Sequence, residues 1–273
     1  MKLSVLMSIY KNEQVDFFVR CMQSIWDEQT VKPAEIILVI DGPLYDELYQ
    51  AIDVWRDKLG ELFHVIPLEH NLGLGNALNI GLSHCSNELV ARMDTDDISL
   101  PDRFEKQLAI FQKTNTDICG SWVSEFDKNE LLIESYRKLP EDHEAIVKFS
   151  KKRNPLNHPT VMYKKSMVKL VGSYGKYRFA QDYHLWALLI LDGAKFYNIQ
   201  EPLVNMRAGY ALLERRGGIK YAINEFNIQK EFLRINFISR TQFCSNVLLR
   251  FSVRLLPSAF LRSIYQKIRS SSI

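Results

Sequence analysis

Cysteine is scarce in this chain: four in 273 residues (Cys21, Cys85, Cys119 and Cys244), with no CxxC pair among them. That spacing argues against a zinc site and a disulfide framework, and favours reduced thiols in a cytosolic compartment. Long apolar runs are also missing. No window of about 18 uninterrupted apolar residues occurs, so no simple helical span of a bilayer is expected. The apolar stretch from Leu3 to Ile9 is too short for a secretory signal. Net charge is only +3, too little for a field that recruits nucleic acid. GxGxxG spacing and a P-loop lysine are both absent. Acidic residues are lacking from Arg234 to the C-terminus, where seven lysines and arginines stand, leaving the rest of the chain net acidic.

The chain does contain a regular alternation. Composition is ordinary for a globular protein, 47% hydrophobic and 25% charged, and the length suits one α/β domain with an appended segment. Strands are expected at 3–9, 35–40, 62–66, 88–93 and 117–123, and helices at 15–29, 44–59, 75–83 and 101–113. Strands alternating with helices imply βαβ units and a mainly parallel sheet. Beyond residue 124 the pattern loosens. Helices are expected at 141–149, 183–191 and 218–237, with short strands at 160–163 and 195–199.

Open α/β sheets bind ligands at the carboxyl ends of their strands, so the residues just after each strand carry the functional reading. The first strand leads to Ser8, Tyr10 and Glu13, the second to Asp41, the fourth to Arg92-Met93-Asp94-Thr95-Asp96-Asp97. Three carboxylates within four residues repel one another unless a cation neutralises them, and oxygen ligands suit Mg²⁺ or Mn²⁺. A solvated acidic cap on the helix at 101–113 is the alternative; the position after an apolar strand, level with Asp41, favours metal. The segment Asn71-x-Gly-x-Gly75-x-Ala-x-Asn-x-Gly puts small residues where a backbone approaches a neighbour closely, or simply forms a tight turn into a helix.

Taken in order, Ser-Val-Leu-Met-Ser-Ile-Tyr-Lys-Asn-Glu, Ile-Asp-Gly, the glycine-asparagine segment and Asp-x-Asp-Asp resemble the family 2 glycosyltransferases of GT-A fold over residues 1–235. Asn157-His158-Pro159-Thr160, Ala180-Gln181-Asp182-Tyr183 and Arg215-Arg216-Gly-Gly are similar to the bacterial branch that builds exopolysaccharide, capsule and O-antigen, amylovoran-type transferases included. The resemblance implies an α/β fold of GT-A type: a mainly parallel nucleotide-binding sheet flanked by helices. It implies donor-binding roles for Ser8, Tyr10, Glu13, Asp41, Asn71, Gly75, Arg92 and Asp94. It places a Mn²⁺ or Mg²⁺ ion on Asp94 and Asp96, and makes Asp182 the catalytic base of an inverting reaction. Asp97, His158, Gln181 and Trp186 fall on the acceptor side, and Arg215 and Arg216 at a phosphate. Without the resemblance, Asp182 reads as a helix N-cap, Trp186 as core, His158 as a turn residue and the arginine pair as an exposed basic turn.

The implied reaction moves a hexose, from UDP-glucose or UDP-galactose first and a dTDP-sugar second, to a polyprenyl-diphosphate-linked saccharide. A sugar nucleotidyltransferase would want a glycine-rich loop with arginine after the first strand, which is absent; a non-catalytic scaffold would not need the acidic cluster and Asp182. Residues 236–273 read as a helical, basic, apolar C-terminal extension. They either lie on an anionic membrane surface, placing the protein peripherally on the inner face of the plasma membrane, or pack on the catalytic domain as a helical hairpin.

Overall fold

A computed structural model describes residues 1–175, 177, 179–208 and 219–254. Four strands, β1 (Leu3–Ile9), β2 (Glu35–Ile40), β3 (Phe63–Pro67) and β4 (Leu89–Arg92), lie parallel in the order β3-β2-β1-β4. They are joined through α1 (Val15–Ile25), α2 (Asp46–Leu59) and α3 (Leu74–His84). Both faces are covered. Leu3, Val5, Met7 and Ile9 pack with Phe18, Met22 and Ile25 of α1 and with Ile52 and Trp55 of α2. Leu6 and Ile37 pack on the other face with Leu78 and Leu82 of α3. Burial on two sides is why these strands read as continuous apolar runs rather than alternating ones.

The chain steps outward from β1 to β2 and β3, then returns to β1's other side as β4. A topological switch point therefore falls between β1 and β4, at the ends that carry Glu13 and Asp94. Beyond β4 the sheet is mixed. It continues β4-β8-β6-β9-β5, with β7 (Ser135–Arg137) on β6. β8 (Met162–Lys164) runs antiparallel to β4 and to β6 (Ile118–Phe126), while β9 (Phe196–Arg207) runs parallel to β6 and antiparallel to β5 (Ile98–Ser99). The expected parallel order thus holds through β4 and gives way where β8 and β5 run against their neighbours. The last expected strand, 195–199, continues eight residues further. A register shift opposite Trp122 lets it pass through Pro202, a residue that argues against strand in sequence.

Helices α4 (Arg103–Lys113), α5 (His143–Ser150), α6 (Lys165–Leu170) and α7 (Gln181–Leu191) complete the layers. α8 (Ile219–Arg234) and α9 (Arg240–Arg254) form a pair docked on α7, with Ile228, Phe232, Phe237 and Ile238 buried against Tyr183 and Ala187. Asn246 of α9 donates to Gln229 Oε1 at 2.9 Å and to the Lys151 carbonyl at 2.8 Å. As far as Arg250 the basic segment therefore packs on the protein; residues 255–273 lie outside the described residues.

Gly81 is where α3 touches the sheet. A Cβ there would stand 2.4 Å from Leu6 Cδ1 and 2.7 Å from Val39 Cγ2, whereas at Gly75 in the same helix the nearest atom would be 3.5 Å away. Gly81→Ala is expected to cost about 1–3 kcal/mol in urea unfolding. Gly75→Ala is expected to cost nothing; equal midpoints for the two variants would contradict this packing.

Candidate active site

The ends of β2 and β3 are tied by one carboxylate. Asp41, only 4% exposed, accepts the backbone N–H groups of Leu72 (2.7 Å) and Gly73 (3.1 Å), and the Asn71 amide donates to the Asp41 carbonyl at 3.0 Å. Gly42 makes this approach possible: its φ is +85°, and a Cβ would come within 2.8 Å of Asn71 N. Ser8 is half-buried near the end of β1, and Tyr10 is exposed beyond it. Gly75, in the first turn of α3, lies beside Tyr174 and Gln181.

The acidic turn follows β4. Arg92 is 1% exposed, its guanidinium paired with Asp94 while its Nε and Nη1 are buried without a partner. Arg92 lies beneath the acidic turn with its guanidinium against Asp94. Arg103, equally buried, donates to the Arg92 carbonyl at 2.7 Å; burial and the Arg92 charge lower its pKa to about 9. Asp94, Asp96 and Asp97 each offer an oxygen within 4.8 Å of the others. Burial, then Asp94 and Glu13, raise the Asp96 carboxyl to about 7. Burial, then Asp96 and Asp94, hold Asp97 well above the usual carboxylate range. Glu13, which accepts the Thr95 hydroxyl, is also raised, chiefly by burial. Such a set of crowded, hard oxygen donors fits Mg²⁺ or Mn²⁺.

Asp97 is wedged between strands. Its Oδ1 accepts the backbone N–H of Arg207 at 2.8 Å, which the β5–β9 pairing brings alongside. The Arg207 side chain reaches the Asp96 carbonyl at 3.3 Å and is stacked between Phe17 and Phe126.

These carboxylates open onto a cavity of about 410 Å³ whose wall also carries Asp182 and His158. Asp182 sits in the first turn of α7, after Ala180 in left-handed geometry, and so is inside the helix rather than its cap. Asn154 Nδ2 donates to its Oδ2 at 2.6 Å, and burial raises the carboxyl's pKa. His158 Nε2 is 2.9 Å from the Tyr174 hydroxyl; burial, aided by the Arg92 charge, pushes the imidazole well below its usual value, so it is neutral. Trp186 is fully buried behind His158, their ring centroids 6.2 Å apart. The core reading of Trp186 thus replaces direct acceptor contact, because an apolar helix buries its indole. Arg215 and Arg216 lie outside the described residues.

The cavity wall further includes Arg137, Asn154, Arg207, Tyr221, Glu225 and Arg250, none of them foreseen. Arg207 ends β9, 110 residues beyond Asp97. The others come from turns and helices whose place beside the acidic turn no local motif reveals.

A family model, Glycosyl transferase family 2, matches residues 4–169. This chain belongs to that family. The glycosyltransferase is 42% identical over 268 residues to UDP-Gal:alpha-D-GlcNAc-diphosphoundecaprenol beta-1,3-galactosyltransferase of Escherichia coli, covering 98% of this chain and 96% of the relative. It is 36% identical over 270 residues to the amylovoran biosynthesis glycosyltransferase AmsE of Erwinia amylovora, covering 97% and 98%. Among solved structures it resembles S. aureus TarS 1-349 in complex with UDP-GlcNAc, with TM-score 0.65, 19% identity, and coverage of 85% of this chain and 67% of that one. It also resembles the mannosyltransferase PcManGT from Pyrobaculum calidifontis in complex with GDP-Man and Mn²⁺, with TM-score 0.64, 14% identity, and coverage of 98% and 80%. These structural likenesses show the GT-A fold of the transferase.

The raised carboxyl of Asp96 has a signed consequence. The folded metal-free transferase binds a proton there more tightly than the unfolded chain, so stability falls as pH rises from about 4 to about 7 and stays low above. Asp96→Asn should therefore raise the metal-free melting temperature at pH 8, with the gain shrinking as pH falls towards 4. A gain that is constant with pH would contradict the crowding.

Proposed function

We propose that this transferase moves galactose from UDP-galactose to a sugar hydroxyl of a polyprenyl-diphosphate-linked acceptor, with inversion, during bacterial surface-polysaccharide assembly. The observation that carries the reading is one cavity walled by the acidic turn and by Asp182. The 42% identity to a UDP-Gal:GlcNAc-diphosphoundecaprenol galactosyltransferase over nearly the whole of both chains supports donor and acceptor class.

The donor would lie along the strand ends, with Ser8, Tyr10, Glu13, Asp41, Asn71 and Gly75 around its nucleotide. Asp94 and Asp96, with Asp97 beside them, would hold a Mn²⁺ or Mg²⁺ ion; when bound, the ion neutralises diphosphate charge as the leaving group departs. At the other end Asp182 takes the proton from the acceptor hydroxyl while that oxygen bonds to the anomeric carbon and the bond to UDP breaks. Its raised proton affinity suits a base, and Asn154 fixes the carboxylate's orientation. Neutral His158 offers a hydrogen-bonding group without adding charge. Gln181, beside Gly75 where α3 and α7 meet, would border both substrates.

A second element of the proposal is a peripheral position on the inner face of the plasma membrane. Among the described residues no helix is long and apolar enough to cross a membrane. Ile219 and Ile223 of α8 and Leu248 of α9 are exposed, and the basic run beyond Arg234 has no acid to offset it.

Calorimetric titration of UDP is expected to show binding with Mn²⁺ that is lost in EDTA and in Asp96→Ala. Asp182→Asn should keep that binding while lowering kcat for transfer from UDP-galactose to a GlcNAc-diphosphate lipid by about 10²-fold or more. Metal-independent UDP binding would remove the role given to Asp96; undiminished turnover in Asp182→Asn would remove the base. Full-length protein should sediment with anionic vesicles, and Ile223→Asp/Leu248→Asp should not.

A further inference from the structure

The cavity has three arginines on its wall, and their surroundings separate them. Arg207 is stacked between Phe17 and Phe126 and bonded to the Asp96 carbonyl, so it serves the acidic turn. Arg137 and Arg250 are held elsewhere. Arg137 Nη2 pairs with the buried Glu125 at 3.0 Å, and its Nη1 reaches Asn157 Oδ1 at 3.4 Å. Arg250 pairs with Glu225 and donates from Nη2 to the Lys152 carbonyl at 2.5 Å. Lys152 is two residues from Asn154, whose amide grips Asp182. One short loop therefore sets both the base and the Arg250 guanidinium.

Accepting the transferase reading above, we infer that Arg250, with Arg137, binds the acceptor's diphosphate, and that α9 is thus part of the acceptor site. A sugar presented to Asp182 on a diphosphate brings two or more negative charges into a cavity already walled by carboxylates. Those charges need guanidinium partners away from the acidic turn, and planar N–H forks suit phosphate oxygens. Arg250 is set in advance by Glu225, which yields one N–H to the phosphate when the acceptor arrives. The route outward suits a lipid as well. Tyr221, Glu225 and Arg250 reach the cavity from the same two helices whose other sides expose Ile219, Ile223 and Leu248.

Two acceptors test this: a GlcNAc-diphosphate lipid, and a neutral alkyl glycoside of the same sugar, each with UDP-galactose and Mn²⁺. Arg250→Gln should raise KM for the diphosphate acceptor by about tenfold or more, leave KM for UDP-galactose unchanged and leave the neutral glycoside unaffected. Arg137→Gln should act in the same direction, and Arg250→Lys should recover part of the loss. Equal losses on both acceptors would assign Arg250 a structural role and overturn the inference. A second measurement stands apart from turnover: calorimetry of an alkyl diphosphate into protein saturated with UDP and Mn²⁺. Weakening by Arg250→Gln supports the site even if the galactose donor proves wrong; unchanged affinity overturns it even if transfer is observed.

Discussion

Three carboxylates at the end of one strand repel one another, and much of the site follows from how that repulsion is contained. Arg92 pairs with Asp94 from below, where it is shielded from water, and Arg103 holds Arg92's carbonyl. The Arg207 amide takes one oxygen of Asp97. What remains uncompensated is visible in the raised proton affinity of Asp96 and Asp97. Asp97 is buried and Asp94 and Asp96 are half-buried, more enclosed than a solvated helix cap requires. On the proposed reading a cation would offset this repulsion, and the crowding would become favourable once the charge is met.

Arg92 also links the two ends of the cavity. Its charge opposes the effect of burial on Asp182 and adds to the depression of His158. One buried guanidinium thus works in two directions, towards the acidic turn and towards Asp182.

The parallel half of the fold was legible because its elements are set by local pattern. β1 and β2 begin and end where their apolar runs do, and the helices between them differ from expectation only at their ends. Gln29, expected in the first helix, is instead drawn inward to bond the Ser24 and Leu100 carbonyls, ending α1 at Ile25. β5 and β7, two and three residues long, exist only through their partners and left no signal. β5 matters most, since it carries the acidic turn to Arg207. Among the site residues, those lying directly after strands could be named in advance. Arg92 could be named through the resemblance, but that its side chain is buried against Asp94 follows from packing that no motif records.

The same distinction separates the two halves of the cavity. The groups proposed for the donor sit within a few residues of strand ends, so the sheet alone brings them together. The side proposed for the acceptor is assembled from a loop, helices and the end of a long strand, through contacts such as Asn154 to Asp182, 28 residues apart, and Arg250 to the Lys152 carbonyl, 98 apart. Neither leaves a recognisable spacing, because each joins segments that only the packing of the helices brings together. A shared nucleotide-diphosphate chemistry can therefore stay written in compact motifs. On the proposed reading the choice of acceptor would rest with the side chains that α8 and α9 bring to the cavity, Tyr221, Glu225 and Arg250 among them.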